Sequence, residues 1–149
     1  MNGPTTARPA DSARRPGGLV VTGGLAATAV VAVALNAAVA ALAHAAGVSD
    51  DFEPLHLSDY ALLTVVGVLA GAGGWALVRA RSARPARVLR TWIPVILLVT
   101  FVPDILLGTS DEPGTSWGGV IALMVMHLIV AAVAVPAFRL LLPLPGQRP

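Results

Sequence analysis

Neither cysteine nor lysine occurs among the 149 residues, and charge of any kind is scarce, at 12%. Without cysteine the chain has no disulfide, no thiolate nucleophile and no thiolate-ligated metal. The missing lysine leaves all ten basic residues as arginine, a bias to which we attach no functional weight. The shortage of charge excludes an ordinary soluble domain, which at this length needs far more polar surface. Motifs are missing too. With no HExxH, P-loop or GxGxxG in the sequence, zinc-protease, nucleotide and dinucleotide chemistry have no signature to stand on.

What is present is apolar: 56% hydrophobic residues and a mean hydropathy of +0.78. The isoelectric point near 10.4 invites a nucleic-acid partner. The arginines, however, sit beside apolar spans, where membrane orientation accounts for them better.

Residues 1–17 are polar and rich in Pro and Gly and read as a disordered tail, unable to bury enough apolar area to offset ordering entropy. Four apolar runs follow, at about 18–46, 57–79, 88–108 and 117–142, and residues 143–149 form a short second tail. Each run is long enough to cross a hydrocarbon core of ~30 Å at ~1.5 Å per residue. In lipid such runs must be helical, because only a helix satisfies its backbone within the segment. The expected fold is an all-α, polytopic membrane protein, a bundle of four transmembrane helices. The first run also has features of a signal peptide, with Arg14 and Arg15 before it and Ala41-Leu42-Ala43 near its end. It far exceeds the roughly 7–15 apolar residues of such signals, so it is read as a retained helix.

The connections give the orientation. Arg8, Arg14 and Arg15 precede the first run; Arg79, Arg81, Arg84, Arg87 and Arg90 surround the second connection; Arg139 and Arg148 end the chain. Asp50, Asp51, Glu53 and Asp59 lie about the first connection, and Asp111 and Glu112 in the third. By the positive-inside rule both termini are cytoplasmic, in the plasma membrane. Trp75 and Trp92 then lie near the inner interface and Tyr60 and Trp117 near the outer one, as aromatic belts. Ser58 and Ser116 are placed to cap helices two and four.

Helices in lipid approach closely through small residues. Helix two carries Thr64, Gly67, Gly71 and Gly74 at spacings of three and four, and helix one carries Ala29, Ala32, Ala40 and Ala43 around Asn36. These stripes suit packing of helices one and two on each other. The Gly67-xxx-Gly71 face is also suited to a homodimer through helix two.

Three polar residues fall deep within the spans: His127 near the centre of helix four, and Asn36 and Asp104 somewhat toward the outer side. An acid near mid-helix costs about 2.5–3.5 kcal/mol on insertion scales, so such residues usually face the bundle interior and find a partner. Asp104 and His127 are the expected pair. Pro103 withdraws the hydrogen bond to the Val99 carbonyl and is expected to kink helix three just before Asp104. The cluster supports either a proton, cation or ligand site or a hydrogen-bond network that locks the bundle. Bis-histidine haem ligation by His44 and His127 fails, since their depths differ by about 16 Å. His56 with Asp50, Asp51 and Glu53 is at most a weak cation site, and otherwise a solvated connection. No cofactor or metal is expected.

The fourth helix, Met126-His127 followed by an Ala/Val run to Pro136 and Arg139, resembles a family of small actinobacterial four-helix membrane proteins, domain of unknown function 6069. Ala70-Gly-Ala-Gly-Gly-Trp75 with the Arg-rich turn and Trp92 resembles it too, and the likeness covers roughly residues 18–142. It implies the fold already argued and supplies no activity. The leading expectation is a non-enzymatic structural, accessory or sensor component whose surroundings are the lipid bilayer. The alternative is a small proton- or cation-coupled carrier working through Asp104 and His127. Reporter fusions within 47–56 and within 109–115 should both read as external, and a cytoplasmic signal from either would overturn the orientation.

Overall fold

Lipid offers a spanning backbone no partner but itself, and all four apolar runs are helical in the computed structural model, which describes residues 16–145. Helix α1 spans Gly18–Ala45, α2 Leu57–Arg81, α3 Pro85–Gly108 and α4 Trp117–Leu141. A 3-10 turn at Glu53–Leu55 lies between α1 and α2, and no strand occurs among the described residues. Each of the four helices is long and apolar enough to cross a membrane, and the chain is a multi-pass membrane protein.

The ends follow local chemistry. Ser116 caps α4 by accepting a hydrogen bond from the Gly119 amide at 3.2 Å, as expected. Ser58 does not cap α2: the helix has already begun at Leu57, with His56 as its N-cap residue and no side-chain cap bond. Helix α3 starts three residues before the apolar run, because Pro85 stands within its first turn, where its missing N–H costs nothing. It then runs without a break through Pro94 and Pro103.

Helices α2 and α4 each touch all three of the others, and α1 and α3 occupy the remaining corners. Helix α1 packs on α2, as the small-residue stripes suggest, and more extensively still on α4. The stripe of α1 is buried as expected, at Ala29, Ala32, Asn36, Ala40 and Ala43. On α2 the buried face is Tyr60, Thr64, Val68, Ala72 and Trp75. Gly67 and Gly74 face open space, and Gly71 faces Phe138 of α4. Bulkier side chains on the neighbouring face fill the interior, so the glycines turn outward.

Two apolar clusters make up the core. One, toward the arginine-rich end, holds Ala29, Val68, Ala72, Trp75, Leu89, Ala134, Phe138 and Leu144. Trp75 lies in it rather than in a belt. Its ring stands 5.9 Å from Phe138, and its indole N–H donates to the Leu142 carbonyl at 2.9 Å. That bond draws the chain back after α4 and seats Leu144 in the core, so the second tail begins later than residue 143. Residues 1–15 and 146–149, the bulk of both expected tails, lie outside the described residues.

The other cluster, toward the acid-rich end, holds Ala40, Ala43, Phe52, Leu55, Tyr60, Ala122 and Met126. Tyr60 is thus interior as well, while Trp92 and Trp117 are exposed. The first connection is a folded cap. Phe52 is 1% exposed and Leu55 2%, and the His56 Nε2–H donates to the Asp50 carbonyl at 2.7 Å. Phe52 lies over Gly119, where an added Cβ would stand 2.7 Å from its ring. Gly114, at φ +73°, would meet the Phe52 backbone nitrogen at 2.7 Å.

Gly119→Ala should therefore displace Phe52 and lower the thermal stability of the purified protein, at an overpacking cost of about 1–3 kcal/mol. Gly73→Ala, which meets nothing within 4 Å, should leave stability unchanged or slightly raised. Equal losses in the two variants would contradict this packing.

Candidate functional site: a polar layer between two apolar clusters

On each helix the chain passes from one apolar cluster to the other through a polar residue. On α1 Asn36 lies between Ala29 and Ala40, and on α2 Thr64 lies between Tyr60 and Val68. On α3 Asp104 lies between Leu89 and Leu107, and on α4 His127 lies between Met126 and Ala134. The layer is a consequence of sequence: one hydrogen-bonding side chain per span at matching depth, with apolar residues above and below.

Within this layer the side chains form two pairs. The Asn36 amide, 1% exposed, donates through Nδ2 to the Thr64 hydroxyl at 2.9 Å and ties α1 to α2. His127 Nδ1 stands 3.2 Å from Asp104 Oδ2 and links α4 to α3. No hydrogen bond joins the pairs among the described residues, so the expected three-residue cluster is divided. Asn36 is spoken for by Thr64, a residue that the sequence placed only in a small-residue stripe. The signal was available: Thr64 is the one hydroxyl in the middle of an otherwise apolar span.

The geometry at His127 is asymmetric. Its Nδ1 lies 2.9 Å from the Leu123 carbonyl one turn earlier. A carbonyl only accepts, so Nδ1 carries the proton and points it along the helix. Asp104 is left beside the N–H rather than in line with it, and Oδ2 makes no aligned hydrogen bond. The contact is one of proximity between the carboxylate and the ring N–H rather than an aligned hydrogen bond. The His127 side chain is 36% exposed and that of Asp104 10%. Phe101 stands edge-on to the imidazole at 6.2 Å between centroids. Pro103 is exposed and sits one residue from the pair, leaving the Val99 carbonyl without its usual donor.

Other candidates stay apart. His44 Nε2 is 3.6 Å from the carboxylate of Asp50, which is almost fully exposed. No group of three metal-ligating side chains occurs among the described residues. If the layer is two pairs, a double-mutant cycle on Asn36→Ala and Thr64→Ala should give a coupling of about 0.6–1.7 kcal/mol, the range of interhelical hydrogen bonds in membranes. The cycle on Asn36→Ala and His127→Ala should be additive within about 0.3 kcal/mol. A coupling of equal size in both cycles would show a single joined cluster instead.

A family model described as a family of unknown function, DUF6069, matches residues 15–142. No curated protein and no solved structure matches the chain.

Proposed function

We propose, for a chain that belongs to the family of unknown function DUF6069, a non-enzymatic role as an accessory or sensor component of the plasma membrane. In this reading both termini are cytoplasmic, and Asp104 and His127 hold a loosely packed helix in place. The observation that carries it is the burial of α3. Its buried residues are Pro85, Leu89 and Asp104, so beyond Leu89 the helix has one buried anchor, and that anchor is an acid. Elsewhere α3 presents Val95, Ile96, Leu98, Val99, Val102, Ile105 and Leu106 outward. Helix packing in lipid has no hydrophobic term to hold such a helix, and among the described residues the contact with His127 is its one side-chain polar tie to α4. A tie between two titratable groups responds to protonation, and the position of α3 is then the quantity sensed.

The open face of α2, at Gly67, Ala70 and Gly74, supports a homodimer through that helix. A second functional reading is a small proton- or cation-coupled carrier. One observation favours it: an acid and an imidazole from two helices stand 3.2 Å apart within the spans, the kind of pair on which proton relays are built.

Reconstitution separates the two. With Asp104→Asn and His127→Ala in liposomes, we expect stability to fall by roughly 1 kcal/mol and proton or cation flux to match empty vesicles in wild type and both variants. A pH-dependent flux in wild type that disappears in both variants would replace the first reading with the second.

A further inference from the structure

At the arginine-rich end, a cleft of about 240 Å³ lies between α2, α3 and the end of α4. Arg90 of α3 and Arg139 of α4 both line it, with Trp75 at its floor and Leu89, Ile93 and Leu144 as apolar walls. Its shape depends on the bond from the Trp75 indole to the Leu142 carbonyl, which folds the chain after α4 back so that Leu144 closes one side. Trp75, the one tryptophan lining the cleft, spends its N–H on that bond, which leaves Arg90 and Arg139 as the cleft's side-chain donors.

Among the described residues these guanidiniums have no counter-ion. The ion-pair contacts among the described residues are those of His44 with Asp50 and His127 with Asp104, and no carboxylate lines the cleft. Two cations brought to one cleft from different helices repel each other unless an anion stands between them. The position of Arg139 in the last turn of α4 suits the helix dipole, but Arg90 lies near the start of α3, where the dipole favours negative charge. Ala86, in the first turn of α3, also lines the cleft, so the positive end of that helix adds to the field there.

We infer that this cleft binds the phosphate headgroup of an anionic phospholipid. The site carries charge where the headgroup would lie and apolar walls where an acyl chain would run. It also sits at the end of membrane-spanning helices, at the depth of headgroups. The inference stands apart from any role of Asp104 and His127, which lie in the polar layer away from this end.

The test uses the full chain purified in a neutral detergent, with native mass spectrometry counting bound lipid. Phosphatidylglycerol should be retained in preference to phosphatidylcholine. Arg90→Gln and Arg139→Gln should each lower that preference about fivefold, the loss of one direct guanidinium–phosphate contact worth ~1 kcal/mol. Arg81→Gln, exposed and outside the cleft, should leave the preference intact. A thermal unfolding scan on each variant confirms that the fold is retained. The inference is overturned if the double variant keeps the wild-type preference, or if Arg81→Gln reduces it equally, which is the signature of net charge alone. It is also overturned if millimolar inorganic phosphate displaces the lipid completely, since the ligand would then be a soluble anion.

Discussion

Asp104 and His127 meet at 3.2 Å in a region where α3 offers the bundle little else. In water a helix with so few buried residues would be driven onto its neighbours by its apolar surface. In a bilayer the same surface is at ease facing lipid, and attachment rests on specific contacts. Close approach supplies part of this, because Gly108 lets the end of α3 come against Val120 and Trp117 of α4. The acid supplies the rest. A buried carboxylate is tolerated only with a partner, so the cost of inserting Asp104 also selects the arrangement in which it faces His127.

The rest of the bundle is built on a different basis. Helices α1, α2 and α4 are joined by two apolar clusters with the Asn36–Thr64 bond between them. At one end Phe52 and Leu55 fold the first connection over the core, and at the other Trp75 draws the chain after α4 inward. Both end caps work by placing an aromatic ring beside a small residue or a free carbonyl. Helix α3 joins this core through Leu89 at one end and Leu107 at the other, and the Asp104–His127 contact lies between them.

The four helices and their lengths were legible from apolar runs alone, because lipid permits only one backbone solution. So were the buried face of α1, from its alanine spacing, and the depth shared by Asn36, Asp104 and His127. The faces of α2 were not. Glycine spacing suggests contact, but it does not say which of two adjacent faces the bulkier Val68 and Trp75 will claim. Tyr60 and Trp75 look like interfacial aromatics by position, and only tertiary packing draws them inside. The cap formed by Phe52 was hidden by its acidic neighbours, which make the connection read as solvated. The division of the polar cluster into two pairs depends on helix order around the bundle, which spacing within single helices does not encode.

The central claim is that the Asp104–His127 contact holds the far half of α3 on α4. The chain is free of cysteine, so spin labels can be placed on Leu106→Cys and Ile121→Cys alone, at positions that are 63% and 58% exposed. Pulsed dipolar spectroscopy in liposomes then reads the distance between α3 and α4 directly. The account predicts one narrow distance distribution in the otherwise wild-type chain and a broader or longer one when Asp104→Ala is added. An unchanged distribution would contradict it and show that α3 is held by packing alone.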